Sequence, residues 1–211
     1  MNCIVTAGPT YEPLDEVRRL TNFSTGTIGS HLANFLTERG HKVELLLGHY
    51  STYRGEQKAR RVRVFTTTSD LREQLKARGS SKIHAVFHAA AVSDFGFGKI
   101  YTRTADGKLK PVKAAKLSTR GPALLAELKP TPKILKELRG WFPEACIVGW
   151  KYELEGDVIK RALEQIRECR TNACVVNGKA YGSGCGLVLP DESLTHYPRR
   201  PQLFAALEKL F

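Results

Sequence analysis

The run NFSTGTIGSHLA, Asn22 to Ala33, sets an amide, two adjacent hydroxyls and two spaced glycines at the start of a helix-like pattern. Two chemistries suit those residue types. Ser24 or Thr25 can satisfy orphan N–H groups as a helix cap, while Gly29 lets the helix lie close to a sheet. Alternatively, free N–H groups at the positive end of the helix dipole form a cradle for an anion such as phosphate. The run alone is compatible with both.

The elements around it narrow the choice. NCIVTAG (residues 2–8) reads as a buried strand, followed by a polar loop and a helix from about Thr27 to Arg39 that Gly40 ends. KVELLLG and RVRVFTT read as strands, SDLREQLKARG as a helix capped by Ser69, and KIHAVFHAAAVSD as a buried strand running into a small-residue turn. Strands alternating with helices predict a parallel sheet with right-handed crossovers. The segment YTRTADGKLKPVKAA is polar and basic, has an Asp-Gly turn and lacks a core face, so it reads as a mobile loop or hairpin flap. Helices at PTPKILKELRGW, GDVIKRALEQIREC and PQLFAALEKLF, and strands at ACIVGW, NACVVNG and GLVLPD, complete the pattern.

Composition excludes several classes. Hydrophobic residues make up 42% of 211, and no apolar run reaches membrane-spanning length. MNCIVTAG enters a strand at once, leaving no room for a signal peptide, so the expected compartment is the cytoplasm. The five cysteines include no C-x-x-C pair, which argues against a zinc ribbon and for buried, reduced thiols. Lys plus Arg number 33 against 21 Asp plus Glu, a net charge of +12 that attracts anions. Nucleic acid is not the expected partner, because no recognition helix, stacking aromatic pair or zinc finger accompanies the charge. The ordinary dinucleotide fingerprint is also missing. Gly8 and Gly26 are too far apart for one tight turn, and LLLGHY ends the second strand without an acidic ribose ligand. HAAAVSD is superficially similar to the fourth strand of short-chain reductases, but no Tyr-x-x-x-Lys pair exists.

Several blocks, in order, resemble the phosphopantothenate–cysteine ligase (phosphopantothenoylcysteine synthetase) family. TAGPTYEPLDEVRRLTNFSTGTIG is similar to the family's opening, AAAVSDF to its A-A-V-A-D-[FY] turn, and KLS with LKPTPKIL to its flap end and T-P-x-I-L helix. IVGWKYE and ACVVNG are similar to V-G-F-x-A-E and to the penultimate strand. The first block is the most specific, and together they span nearly the whole chain.

The resemblance implies a modified Rossmann-like α/β fold with a mostly parallel central sheet and a long basic flap (about 96–116), the 211 residues forming one domain. It implies a ligase of coenzyme A biosynthesis that joins 4′-phosphopantothenate to L-cysteine through an acyl-nucleotide, with CTP or ATP as co-substrate, Mg²⁺ and no flavin. A homodimer is implied as well. Residue by residue, Asn22 matches the Asn that handles the acyl-nucleotide and Lys116 the flap lysine. Arg18 matches the arginine that precedes that Asn, suited to phosphate. Gly8, Ser24, Thr25, Gly26 and Gly29 match the backbone cradle. Ala90 and Ala91 match the turn that admits the nucleotide, and Asp94 a nucleotide or Mg²⁺ contact. Plainer roles compete: a cap for Asn22, an Asx-turn for Asp94, and solvated surface for Arg18 and Lys116.

The sequence departs from the pattern at Pro9, where the family has Gly, and at Trp150 and Lys151, where it has Phe and a small residue. The flap is longer than in many bacterial members. IRECRTNA lacks the usual paired lysines, and GKAYGSGCGLVLPD replaces the later motif. The departures leave CTP against ATP open. They also leave room for a nucleotide-binding protein or a diverged paralogue without ligase activity.

Overall fold

The computed structural model describes residues 1–79, 81–118 and 120–211. Its strands are β1 (Asn2–Ala7), β2 (Tyr11–Pro13), β3 (Arg19–Thr21), β4 (Lys42–Gly48), β5 (Arg61–Phe65), β6 (Ala85–His88), β7 (Phe95–Arg103), β8 (Leu109–Val112), β9 (Leu124–Pro130), β10 (Cys146–Tyr152), β11 (Ala173–Asn177), β12 (Cys185–Val188) and β13 (Leu194–Tyr197). Its helices are α1 (Thr27–Glu38), α2 (Thr68–Lys76), α3 (Ile134–Trp141), α4 (Val158–Cys169) and α5 (Arg200–Glu208).

Eight strands form the central sheet in the order β13-β12-β11-β10-β6-β1-β4-β5. The pairs from β5 to β11 are parallel, and β12 and β13 are added antiparallel. This is a doubly wound, Rossmann-like sheet, with connections that leave β1 in one direction and return to β6 on its other side. Alternation along the strands builds a core on each face. Cys3, Val5 and Ala7 of β1 and Phe87 of β6 pack with Leu32 and Leu36 of α1 and with Leu203 and Leu207 of α5. Ile4 and Val86 face the other way, onto Leu71 and Leu75 of α2 and Ile134 and Leu138 of α3. A smaller cluster seats α4 through Val158, Ala162 and Ile166 on β11 and β12. Each large side chain removed from water contributes roughly 1.5–3 kcal/mol, which is why the two-residue alternation fixes register here.

Three local expectations need correction. The polar loop after β1 contains a hairpin, β2 paired antiparallel with β3. Thr67, not Ser69, caps α2: its side chain accepts the N–H of Asp70, and Ser69 lies inside the helix. For the basic flap the hairpin reading holds and the loop reading does not: β7 and β8 pair, and β9 widens them into a three-stranded antiparallel sheet, β8-β7-β9. Ile100 in its middle strand is buried, 8% exposed, as is Leu117 after β8, 5% exposed. All five cysteines are buried and unpaired. Among the described residues no helix is long and apolar enough to cross a membrane.

Candidate active site

In an open α/β sheet the crevice lies at the carboxyl ends of the strands, where the winding reverses. That point is between β1 and β6. The chain leaves β1 at Gly8, whose φ of 82° is one that L side chains rarely adopt. The carbonyl of Gly8 accepts the Ala91 N–H at 3.0 Å, and Pro9 bridges to Ala91. The Ala91 carbonyl then accepts two donors, the Thr10 N–H at 3.1 Å and Asn22 Nδ2 at 3.0 Å. Ala90 N–H donates to Thr6 Oγ1 at 3.1 Å. Gly8, Asn22, Ala90 and Ala91 therefore form one cluster, with Asn22 exposed at its mouth.

The start of α1 closes over the same point. Gly26 is the N-cap, left-handed at φ 77°, and offers no capping oxygen of its own. Thr25 supplies one, accepting the Thr27 N–H through Oγ1 at 3.3 Å. The Thr25 carbonyl accepts Ser51 Oγ at 2.8 Å and the Tyr53 N–H at 3.1 Å. A Cβ on Gly26 would strike Ser51 and come within 3.3 Å of the Gly8 Cα. Thr25 is a cap, while the first turn keeps N–H capacity at the crevice. Ser24 is half-buried at the entry to the turn. Gly29 serves packing: a Cβ there would lie 2.6 Å from the Ala7 Cβ, beneath α1.

A cavity of about 590 Å³ opens on the other face, running from His88, Ala90 and Asp94 past Lys151 to α3 and α4. Its rim is charged but largely paired. Lys133, the N-cap of α3, donates to Asp94; Arg161 pairs with Glu153; Lys136 holds Glu168 at 2.7 Å. A lysine at a helix N-terminus opposes the dipole, so an arriving anion gains both the lysine and the helix end. Among the described residues no three ligating side chains gather around a point that would hold a metal ion. A hard cation would therefore depend on ligand oxygens, with a carboxylate such as Asp94 as a single protein contribution.

Arg18 and Lys116 lie on two segments joined by hydrogen bonds through Leu117. Arg18 Nε donates to Asp15 Oδ2 at 3.0 Å, and its guanidinium also reaches the Leu117 carbonyl at 2.7 Å. Lys116, between two tethered neighbours, is exposed and makes no ion pair with the described residues.

Residues 1–199 match the family model described as DNA/pantothenate metabolism flavoprotein, C-terminal domain. The chain belongs to this family. Curated relatives include the coenzyme A biosynthesis bifunctional protein CoaBC of Thermococcus kodakarensis, 32% identical over 185 residues, and that of Bacillus subtilis, 33% identical. The matches cover 85% and 87% of this chain but 42% of each relative, so the chain spans less than half the length of these proteins. The DNA/pantothenate metabolism flavoprotein of Streptococcus pneumoniae superposes with a TM-score of 0.83 at 22% identity, covering 99% of this chain and 97% of that one. A Cab2 mutant in complex with phosphopantothenate-cysteine superposes at 0.73 and 20% identity, covering 99% and 87%. At these identities the structures establish the shared fold.

Within this family member, sequence reasoning passed over several residues that shape the crevice. Ser51 and Tyr53 hold Thr25 from a loop with no motif. Thr10 Oγ1 accepts the Ser93 N–H at 2.8 Å and so fixes the turn before Asp94. His88 ends β6, buried at the inner end of the cavity, with Nδ1 3.0 Å from Thr6 Oγ1. The available signal was a histidine in an otherwise apolar strand, directly before the small-residue turn.

Burial pushes His88 down to about 4 from an ordinary 6.5. The unfolded chain therefore takes up this proton first as pH falls. The stabilisation is fully present above about pH 6.5 and lost between about 6.5 and 4, on the order of 3 kcal/mol over that window. Urea midpoints measured from pH 7 to 4 should fall more steeply for the native chain than for His88→Gln. Parallel curves would remove His88 as the source.

Proposed function

We propose that this chain ligates 4′-phosphopantothenate to L-cysteine through an acyl-nucleotide, as a single-domain unit. The observation that carries this reading is the cluster of Gly8, Asn22, Ala90 and Ala91 at the switch point, in a chain that matches the family along residues 1–199. The complex of a fold relative with phosphopantothenate-cysteine supports the choice of substrates.

In the first step a carboxylate oxygen of phosphopantothenate attacks the α-phosphorus of CTP or ATP, and pyrophosphate leaves. In the second, the cysteine amine attacks the acyl carbon, the nucleoside monophosphate leaves, and the amine gives up a proton. Both steps concentrate negative charge, which preorganised N–H groups and cations stabilise without reorganising. The first turn of α1 with Gly26 offers such donors. Lys133 and Lys136 line the cavity for the nucleotide, and Lys116, exposed and without an ion pair among the described residues, would supply its ammonium to the phosphates. With one Nδ2 hydrogen on the Ala91 carbonyl, Asn22 has the other to donate to the acyl oxygen and Oδ1 to accept from the incoming amine. Mg²⁺ would neutralise the triphosphate, and Asp94 would be the residue to hold it once Lys133 turns to phosphate. The fit is therefore to a cation delivered on the nucleotide.

Pyrophosphate release tested with CTP and ATP in parallel is expected to require phosphopantothenate and to occur with one nucleotide preferentially. Nucleotide binding without release would favour the diverged-paralogue reading suggested by Trp150, Lys151 and the paired rim. Steeply salt-dependent DNA affinity would favour a nucleic-acid binder.

The active unit is proposed to be a homodimer. Every residue of β9 is exposed at the edge of the flap sheet, and Phe23 beside Asn22 is 105% exposed. Leu128, Phe95 and Leu20 add apolar surface on the same two projecting hairpins. Light scattering should give a dimer at micromolar concentration and a shift toward monomer for Leu128→Asp. A fully active native monomer would overturn it.

A further inference from the structure

Asp15 lies in the turn between β2 and β3, and its side chain is 1% exposed. Its carboxylate is saturated with donors. Oδ1 accepts the N–H groups of Val17 at 3.0 Å and Arg18 at 2.7 Å. Oδ2 accepts Arg18 Nε and the Leu117 N–H, both at 3.0 Å, together with a terminal guanidinium nitrogen of Arg18. The Arg18 guanidinium returns to the Leu117 carbonyl at 2.7 Å, and the Glu16 N–H reaches the Ala115 carbonyl at 3.0 Å. Both residues flanking Lys116 are thus bound to one turn about a hundred positions earlier in the chain. The Arg18 guanidinium, then the Leu117 N–H, hold the Asp15 carboxyl well below the usual carboxylate range, so this latch stays charged at any working pH.

The same hairpin is tied to the crevice. Thr21 Oγ1 donates to the Thr10 carbonyl at 2.8 Å, Thr10 N–H donates to Ala91, and Asn22 follows β3 directly. A rigid path therefore runs from the end of the flap through the hairpin to the Ala91 carbonyl.

We infer that Asp15 is a positioning residue for the ligation reaction: with Arg18 it latches the flap's C-terminal end so that Lys116 is held in register with Asn22. Arg18 acts through this latch, in place of the direct phosphate contact its sequence position suggests. The movable part of the flap is then its β7–β8 tip around Gly107, and residues 115–117 are the fixed pivot. The inference about exchange stands on the geometry alone; the inference about rate rests on the proposed ligase activity.

Asp15→Asn keeps the shape but puts an amide where Oδ2 accepts three donors or leaves Oδ1 without its partners. Hydrogen exchange measured on the full chain should rise at least tenfold at residues 115–118 and stay unchanged in β1 and β6. Acyl-nucleotide formation should fall by about tenfold to a hundredfold in kcat, with KM for phosphopantothenate little changed, as misplacement of one group predicts. Lys116→Gln should lower the same step, and the double variant Asp15→Asn/Lys116→Gln should be no slower than Lys116→Gln alone. Additive losses would show that Asp15 does not act through Lys116. Unchanged exchange at 115–118 would overturn the latch itself, whether or not the native chain ligates.

Discussion

Asn22→Asp is expected to stop the reaction after its first half. The native amide donates to the Ala91 carbonyl at 3.0 Å. A carboxylate in its place loses that donor, sets an anion against a carbonyl oxygen and faces the negative charge of the acyl-nucleotide. The second Nδ2 hydrogen is lost with it, and an oriented donor acting on a developing oxyanion is commonly worth about a hundredfold in rate, or roughly 2.7 kcal/mol. The amine-transfer step should slow by about that factor, while activation of phosphopantothenate persists and the acyl-nucleotide accumulates. Because Asn22 is exposed, the melting temperature should barely move. Quenched reactions resolved by mass would display the intermediate. Native turnover in this variant would return Asn22 to a purely structural tether of Ala91.

Gly29→Val is expected to act on stability and to separate the two chemistries of the opening stretch. As part of an anion cradle, Gly29 would be replaced with loss of ligand affinity and little change in folding. The structure places it against β1, with the Ala7 Cβ 2.6 Å and the Thr6 carbonyl oxygen 3.0 Å from an added Cβ. Neither neighbour can yield easily. β1 is paired on both edges, with β4 and β6, and α1 is anchored by Leu32 and Leu36. Relieving the overlap means lifting α1 from the sheet, an overpacking cost of about 3 kcal/mol, against which a helix-propensity gain of a few tenths counts little. For a chain of this size that corresponds to about 6–12 °C in Tm. A thermal melt decides it: an unchanged Tm with weakened nucleotide binding would restore Gly29 to the cradle.

What the amino-acid sequence determined by itself was local and periodic. Ile28, Leu32, Phe35 and Leu36 at helical spacing specify α1, and apolar runs such as IVTA and AVFH specify strands buried on both faces, so the alternating order already implied a parallel sheet. Glycines at 8, 26 and 29 and the AAAVSD turn marked the crevice, because those positions need small or left-handed residues whatever else surrounds them. Tertiary structure alone decided which partners each residue meets. Gly29 packs against Ala7, and Gly8 and Gly26 lie where two loops meet at Ser51. Arg18 is turned onto Asp15 because Leu117 supplies a second partner there. Burial lowers the His88 pKa, with Thr6 on the neighbouring strand as its polar contact. The flap's third strand was hidden because the β7–β9 pairing joins Phe95–Arg103 to Leu124–Pro130 across the intervening β8 hairpin. Apart from Arg18 with Asp15, each of these contacts joins positions tens of residues apart, so no short window of sequence contains both partners; the chain must close its loops before their hydrogen bonds and packing exist.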